Sequence, residues 1–259
     1  MASQTLKVHT SGNAGNPALV FFHAFPFDAE MWNDQVTLFS EKFYCVAVDL
    51  PGFGSSPLPE NAFTFEANVD AVLVFLKEAK LEKSIWCGLS MGGYLALRLY
   101  ERAPEHCRAL ILCDTKSGAD GNEAKLKRAA SISQAIANRE DFDAAQWKVL
   151  TGTAAKQNAE LKKRFDTLSK RTSTRAITAG LTALATRTDT TEGLTKISVP
   201  TLIIVGAEDQ VTPVKEAEAL HTAIKGSQLK VISNAGHLSN LENPSEFNSA
   251  VSGFLAGLR

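Results

Sequence analysis

The stretch Gly88–Gly93 reads Gly-Leu-Ser-Met-Gly-Gly. It follows the apolar run Ser84–Cys87 and precedes Tyr94–Tyr100, which has a helical pattern. A Gly-x-Ser-x-Gly sequence between a strand and a helix is typical of a sharp turn that exposes one serine hydroxyl. Glycine on both sides allows the strand and the helix to approach closely. The stretch therefore predicts Ser90 as a nucleophile at a helix start, where unpaired N–H groups point toward the site.

Two later segments provide partners for this serine. Asp209 comes shortly after the apolar run Thr201–Ile204, and His237 follows the short strand-like run Leu229–Ile232. Loops after successive parallel strands lie at the same edge of a sheet, so we expect the three side chains to meet. An imidazole can take the proton of Ser90, and a carboxylate can orient the imidazole. The order Ser, Asp, His therefore predicts a catalytic triad.

Asp209 and His237 each have a simpler explanation when taken alone. Asp209 would cap a helix that begins near Pro213, and His237 would be an ordinary loop histidine. The triad is favoured over both explanations because Ser90, Asp209 and His237 all follow strand ends, in the chain order Ser, Asp, His.

A triad needs donors for the oxyanion that forms during the reaction. The run Val20–Pro26 ends in a His-x-x-Pro turn. We expect the backbone N–H of Met91, directly after the nucleophile, and the N–H of Phe25 to be the two donors. Pro26 has no N–H and cannot donate. His23 is expected to brace this loop.

The chain as a whole alternates between strand-like and helix-like segments. Strand-like runs lie near residues 6–9, 18–22, 43–48, 84–88, 108–113, 201–205 and 229–232. This alternation predicts an α/β protein with a mostly parallel sheet and helices on both faces. From about Ser117 to Lys196 no strand is expected, and Ala124–Ala137 and Leu161–Leu168 have helical patterns.

These motifs resemble those of the α/β-hydrolase superfamily over nearly the whole chain. Asp49–Ser56 resembles the Asp-x-Pro-Gly-x-Gly-x-Ser turn of that family, and Glu242–Pro244 follows Gly236–His237 as in many members. His23–Asp28, with Met31–Trp32 behind it, is similar to a group of small esterases, 3-oxoadipate enol-lactonases and cofactor-free perhydrolases.

The resemblance implies the α/β-hydrolase fold with an inserted helical cap. The core would comprise residues 1–116 and 197–259, and the cap residues 117–196. The alternative is a set of additional surface helices. A cap would exclude water and supply substrate-binding walls, for which Phe142 and Trp147 are the candidates, with Phe25 and Phe27 opposite.

The resemblance also introduces a second candidate acid. Asp114 follows Ile111–Cys113, at a position where some superfamily members place the acid of their triad. Asp209 is favoured because Gly206–Asp209, followed by Pro213, resembles the commoner acid loop.

Charge is unevenly distributed along the chain. Residues 122–190 contain 13 Lys and Arg against 7 Asp and Glu, a net charge of +6, within a chain of net charge −1. These charges are either ordinary solvated helix faces or a basic surface that steers an anionic substrate or an acidic carrier protein. Nucleic acid is not an expected partner at this overall charge.

The rest of the composition excludes several classes of protein. A chain of 259 residues with 44% hydrophobic content is sufficient for one large domain. No apolar run predicts a membrane span or a secretory signal, and the four cysteines have neither metal-site nor disulfide spacing. Gly52–Gly54 lacks the third glycine of a dinucleotide turn. We therefore expect a cytoplasmic protein without metal or cofactor.

The sequence predicts a serine hydrolase that cleaves a small carboxylic ester or lactone through an acyl-enzyme on Ser90. The same residues would also serve a perhydrolase, a C–C hydrolase or a lyase. A ligand receptor that retains the triad is the alternative from a different class.

Overall fold

A seven-stranded sheet runs through the centre of the computed structural model, which describes residues 6–60, 63–81 and 83–258. Its strands are β1 (Lys7–Ser11), β2 (Ala18–Phe22), β3 (Tyr44–Asp49), β4 (Ser84–Leu89), β5 (Cys107–Cys113), β6 (Thr201–Gly206) and β7 (Gln228–Ile232). They lie in the order β1-β3-β2-β4-β5-β6-β7. Only β1 is antiparallel to its neighbour. The predicted strands and the mostly parallel sheet are confirmed.

Apolar residues on both faces explain why the central strands are continuous hydrophobic runs. Every residue of β4 and β6 is buried, as expected for parallel strands covered on both sides. Successive side chains point to opposite faces, so Phe21 and Phe22 belong to two different core clusters. The edge strands β1 and β7 are largely exposed or half-buried.

Helices cover both faces of the sheet. Buried residues of α2, α3 and α8 join the core cluster that contains Phe22, while those of α1 and α10 join the cluster that contains Phe21. The helices are α1 (Asn33–Phe39), α2 (Phe65–Glu78), α3 (Met91–Arg102), α4 (Asn122–Ala137), α5 (Arg139–Leu150), α6 (Ala159–Lys170), α7 (Thr174–Ala185), α8 (Val214–Ala223), α9 (Ser239–Glu242) and α10 (Pro244–Ala256).

Four of these helices, α4–α7, form an insertion between β5 and β6. Residues 114–200, all described, contain no strand, and the two predicted helical patterns lie within α4 and α6. The insertion ends in a short 3-10 helix, Thr191–Lys196. The assignment of residues 117–196 as a separate cap stays a prediction.

The insertion packs directly onto the loop that follows β2. The ring of Phe165 in α6 lies 5.2 Å from that of Phe27 and 5.1 Å from that of Trp147, edge-on in both cases. Arg171, after α6, forms a salt bridge with the buried Asp28. The Thr172 hydroxyl donates to the Pro26 carbonyl at 2.7 Å. The turn between α6 and α7 therefore holds the loop in place.

Candidate active site

Ser90 lies in a strained turn between β4 and α3. Its φ of 53° and ψ of −109° fall in a region that residues other than glycine rarely adopt. The turn is held from several directions, because the Ser90 N–H donates to the Cys113 carbonyl at 2.9 Å and the Thr115 hydroxyl donates to the Ser90 carbonyl at 2.9 Å. This conformation places a serine side chain, which is 8% exposed, at the start of a helix.

The glycines around Ser90 are required by close approaches of the backbone. A Cβ on Gly88 would lie 2.2 Å from the Gly92 carbonyl oxygen. A Cβ on Gly92 would lie 2.1 Å from the Phe22 carbonyl oxygen. Both distances are far below van der Waals contact, so a larger residue would open the turn. The Gly-x-Ser-x-Gly pattern is thus explained by packing between β2, β4 and α3.

The structure brings Ser90, His237 and Asp209 together in one hydrogen-bonded line. The three residues follow β4, β7 and β6, at the carboxyl edge of the sheet. His237 Nε2 lies 2.7 Å from Ser90 Oγ, and His237 Nδ1 lies 2.8 Å from Asp209 Oδ2. With a proton on Nδ1, Nε2 is free to accept the serine proton.

The electrostatics of this line match its geometry. Burial disfavours the charged form of His237, but the charge and hydrogen bond of Asp209 outweigh it, and the pKa of His237 is raised. Burial also disfavours the ionised form of Asp209, yet His237 and the donors of Thr212 lower the pKa of that carboxyl. An ionised Asp209 beside a readily protonated imidazole suits general base chemistry.

Asp114, the second candidate acid, is bonded elsewhere. Its Oδ1 accepts the Gly206 N–H at 2.8 Å, and the Ser239 hydroxyl donates to its Oδ2. Burial, together with the nearby charge of Asp209, raises the pKa of Asp114 well above its usual range. Asp114 therefore connects the end of β6 with α9, and the hydrogen bond to His237 belongs to Asp209.

The loop of His237 is also anchored to the insertion, which the sequence did not predict. The His237 N–H donates to the Leu150 carbonyl at 3.0 Å. Glu242 accepts the N–H groups of Gly152, Gly236 and Leu238 at 2.7, 3.0 and 3.1 Å. The one sign of this contact in the sequence was Glu242, an acidic residue five positions after His237. One carboxylate thus binds the segment that follows α5 and both sides of His237.

The two predicted oxyanion donors lie directly after β4 and in the loop after β2, which are neighbouring parallel strands. Met91 is the first residue of α3, and Phe25 lies in the loop after β2. Neither N–H has an acceptor among the described residues, whereas the N–H of Ala24 is bonded to the Met31 sulfur at 3.2 Å. The role of these two N–H groups as oxyanion donors stays a prediction.

His23 braces the loop after β2, in agreement with the expectation from the sequence. Its Nε2 accepts the Leu50 N–H at 3.1 Å, and its Nδ1 lies 3.0 Å from the Ala24 carbonyl oxygen. These contacts require a neutral ring with the proton on Nδ1. Burial lowers the pKa of His23, which keeps the ring neutral.

The predicted pocket residues fall into two groups. Phe27 and Trp147 contact the ring of Phe165, in the cluster on one side of the sheet. Phe142 lies with Phe25 in the other cluster. All four rings are at least nine-tenths buried. Their contact with a substrate stays a prediction.

Many positive charges of the insertion are neutralised by salt bridges. Arg164 pairs with Asp34, and Arg171 pairs with Asp28 and Glu30, so acidic residues of the core balance part of the excess. Five further cations pair within the insertion or with Asp120: Lys127, Arg128, Arg139, Lys162 and Arg187. In the described part, no salt bridge is formed by Lys125, Lys148, Lys156, Lys163, Lys170 or Arg175.

The described part of the chain contains neither a candidate metal site nor a helix that could span a membrane. Within residues 6–60, 63–81 and 83–258, no group of three or more His, Cys, Asp or Glu side chains could hold a metal ion. Within the same residues, none of the helices has the length and apolar character needed to cross a membrane.

Two curated proteins are similar to this chain over almost its full length. A 3-oxoadipate enol-lactonase 1 from Acinetobacter baylyi is 30% identical over 264 residues, which cover 99% of this chain and 95% of the relative. A pimeloyl-[acyl-carrier protein] methyl ester esterase from Pectobacterium carotovorum is 29% identical, with 96% and 98% covered.

A solved structure and a family model also match this chain. The malate-bound thermophilic esterase from Thermogutta terrifontis superposes with a TM-score of 0.91 at 30% identity, covering 98% of this chain and 93% of that one. The family model described as "alpha/beta hydrolase fold" matches residues 17–244, which span the Ser90 turn and the loops of Asp209 and His237. The chain therefore belongs to the alpha/beta hydrolase fold family.

Proposed function

We propose that this protein is a serine hydrolase that cleaves a carboxylic ester or a lactone through an acyl-enzyme on Ser90. The observation that carries the proposal is the continuous line from Ser90 Oγ through the His237 ring to Asp209, with distances of 2.7 and 2.8 Å. Relatives named as an enol-lactonase and a methyl ester esterase support the substrate class.

Acylation begins with a proton transfer from Ser90 to His237. His237 Nε2 takes the hydroxyl proton while Oγ forms a bond to the carbonyl carbon, and the carbonyl electron pair moves to its oxygen. The N–H groups of Phe25 and Met91 stabilise this oxyanion. When the carbonyl re-forms, the bond to the leaving oxygen breaks and His237 protonates that oxygen. With a lactone, the released alcohol stays attached to the acyl group.

Deacylation repeats these steps with water. His237 takes a proton from water, the hydroxide oxygen adds to the acyl carbon, and the bond to Ser90 Oγ then breaks. His237 returns the proton to Ser90, so the product is the carboxylic acid. Throughout both steps Asp209 holds the ring orientation and stabilises the imidazolium form of His237.

A substrate with a negative charge is a narrower form of the same proposal. Within residues 122–190, six cations have no salt bridge in the described part of the chain, and the net charge of the same range is +6. A relative whose name includes an acyl-carrier protein supports the same direction. Such a surface would attract an anionic ester or an acidic carrier that bears one.

The experiment combines a substrate panel with active-site labelling. p-Nitrophenyl esters from acetate to dodecanoate are assayed beside an enol-lactone, with and without hydrogen peroxide to detect peroxyacid formation. A fluorophosphonate probe should modify Ser90 alone, as located by peptide mass spectrometry. Hydrolysis of no ester or lactone, together with no labelling of Ser90, would refute the proposal.

A further inference from the structure

Thr212 is buried at the junction between Asp209 and His237. It lies in the loop between β6 and α8, and none of its surface is exposed. Its hydroxyl oxygen lies 2.8 Å from Asp209 Oδ2 and 3.3 Å from His237 Nδ1. The same carboxylate oxygen lies 2.8 Å from Nδ1. Three polar atoms of three residues thus form a closed triangle.

The chemistry of the three groups fixes the direction of these hydrogen bonds. An ionised carboxylate can only accept, so the Thr212 hydroxyl proton points to Asp209 Oδ2. The lone pairs of the hydroxyl oxygen then remain for the N–H on His237 Nδ1. A proton on Nδ1 is the form of the ring that leaves Nε2 as an acceptor for the Ser90 hydroxyl, at 2.7 Å.

Thr212 supplies two of the four donors that surround the Asp209 carboxylate. Oδ1 accepts the N–H groups of Val211 at 2.8 Å and Thr212 at 2.9 Å, while Oδ2 accepts the Thr212 hydroxyl and His237. Two donors on each oxygen satisfy the carboxylate. The backbone donors persist when the side chain is changed. The hydroxyl is the one donor of this set that a substitution at position 212 removes.

We propose that Thr212 is a positioning residue of the triad, whose hydroxyl fixes the rotation of the Asp209 carboxylate so that Oδ2 faces His237 Nδ1. The inference rests on the proposed function of Ser90, His237 and Asp209. It goes beyond that function because it assigns part of the orientation of His237 to a fourth side chain.

Thr212→Val tests this role, because valine keeps the branched shape and the backbone N–H but lacks the hydroxyl. We expect kcat for p-nitrophenyl acetate to fall about 10- to 100-fold, the scale of one hydrogen bond to a charged group, with KM changed by less than about twofold. Thr212→Ser retains the hydroxyl and should remain within about threefold of the wild type.

Thr201→Val is the matched control. Thr201 is also buried, lies at the opposite end of β6, and donates its hydroxyl to the Val199 carbonyl at 3.0 Å. The same substitution there should leave kcat unchanged within about twofold, since the hydroxyl contacts no ionised group. Melting temperatures of all variants show whether the fold is intact.

An NMR measurement distinguishes a changed orientation of the His237 ring from a general disturbance of the fold. The proton on His237 Nδ1 should give a low-field NMR signal in the wild type and in Thr212→Ser, and this signal should broaden or disappear in Thr212→Val. If Thr212→Val does not fold, Thr212→Ala is measured instead. Alanine also lacks the hydroxyl and is smaller than threonine, so it introduces no steric clash in this buried site.

Two outcomes would overturn the inference. One is a folded hydroxyl-free variant with kcat within about threefold of the wild type, and the other is a Thr212→Ser variant as impaired as Thr212→Val. Failure of the proposed function has a different signature, because wild-type protein would then neither hydrolyse an ester or lactone nor bind a fluorophosphonate at Ser90.

Discussion

The carboxylate of Asp209 lies 2.8 Å from Nδ1 of His237. The carboxylate of Asp114 bonds instead to Gly206 and Ser239, although its charge also influences the pKa of His237. The two buried acids therefore have different partners at the same sheet edge. This difference gives a direct test of their roles.

Asp209→Asn should lower kcat for p-nitrophenyl acetate by several orders of magnitude, because an amide favours the wrong tautomer of His237; the comparable change in a well-studied triad costs about 10⁴-fold. Asp114→Asn should cost about tenfold or less, since the Asp114 carboxylate bonds to Gly206 and Ser239 and makes no hydrogen bond to the His237 ring. Steady-state kinetics of both purified variants provide the comparison. The opposite ranking would assign the acid to Asp114 and leave Asp209 as a helix-capping residue.

Ser90→Ala should abolish ester hydrolysis and leave the fold intact. Activity should fall by about 10⁴-fold or more, as for removal of the nucleophile in other triads, because no other hydroxyl bonds to His237 Nε2 in the described chain. The backbone hydrogen bonds of the turn do not involve the Ser90 side chain, so circular dichroism and the melting temperature should stay close to those of the wild type. Pure variant protein that kept more than a tenth of the activity would show that Ser90 is not the nucleophile.

The pH profile of kcat/KM should report the titration of His237. Its neutral form is the base, and its pKa is raised, so activity should increase with pH with a midpoint above the ordinary value of 6.5. In Asp209→Asn, an NMR titration of the His237 ring should give a lower pKa, because burial then acts without the opposing carboxylate. A midpoint at or below 6.5 in the wild type would contradict the coupling of the two residues.

The same shift predicts a pH-dependent contribution to stability. Since the pKa of His237 is higher in the folded protein than in the unfolded chain, the stabilisation from its protonated form is complete below about pH 6.5. It is lost as the pH rises through the folded pKa. Urea unfolding of the wild type and His237→Gln should therefore show a larger difference in free energy of unfolding at pH 6 than at pH 9.

The salt dependence of kcat/KM should show whether the positive charges of the insertion attract anionic substrates or are only a solvated surface. If the insertion attracts anions, kcat/KM for an ester with a free carboxylate should fall as salt rises, because the Debye length shrinks from about 10 Å at 0.1 M to about 3 Å at 1 M. A neutral ester of equal size serves as the control and should respond little. Parallel salt profiles for the two esters would identify these charges as a solvated surface.

Charge reversal should be made at cations that have no salt bridge. Lys163→Glu changes such a residue, whereas Lys162 is paired with Asp166 and its reversal would also break that pair. If Lys163 contributes to steering, Lys163→Glu should reduce the salt dependence for the anionic ester only.

The strands and the three polar residues at their ends could be predicted because the signals are local. Apolar runs define β2, β4 and β6, and the position of Ser90, Asp209 and His237 after strand ends places them at one edge of a parallel sheet. Glycine spacing around Ser90 has a direct steric cause, the approach of Gly92 to Phe22.

The remaining contacts of the site depend on tertiary neighbours that no local pattern specifies. Thr212 carries no signal in the sequence, and Glu242 is only part of a family motif whose role the sequence does not reveal. The fold brings them to Asp209 and to the loop of His237. The sequence likewise identifies Phe142 and Trp147 as candidate pocket residues, but not that they join clusters on different sides of the sheet. Salt bridges between the insertion and Asp28 or Asp34 were invisible for the same reason.

The attachment of the Leu150–Gly152 segment to the loop of His237 limits how this protein can be recombined with its relatives. A chimaera that exchanges α4–α7 as a cassette must keep glycine at position 152, because a Cβ there would lie 2.9 Å from the Gly236 nitrogen. It must also keep the carboxylate of Glu242, which accepts the Gly152 N–H from the other side of the junction. An exchange of α4–α7 therefore also affects the position of His237, because the insertion and the loop of His237 share these backbone contacts.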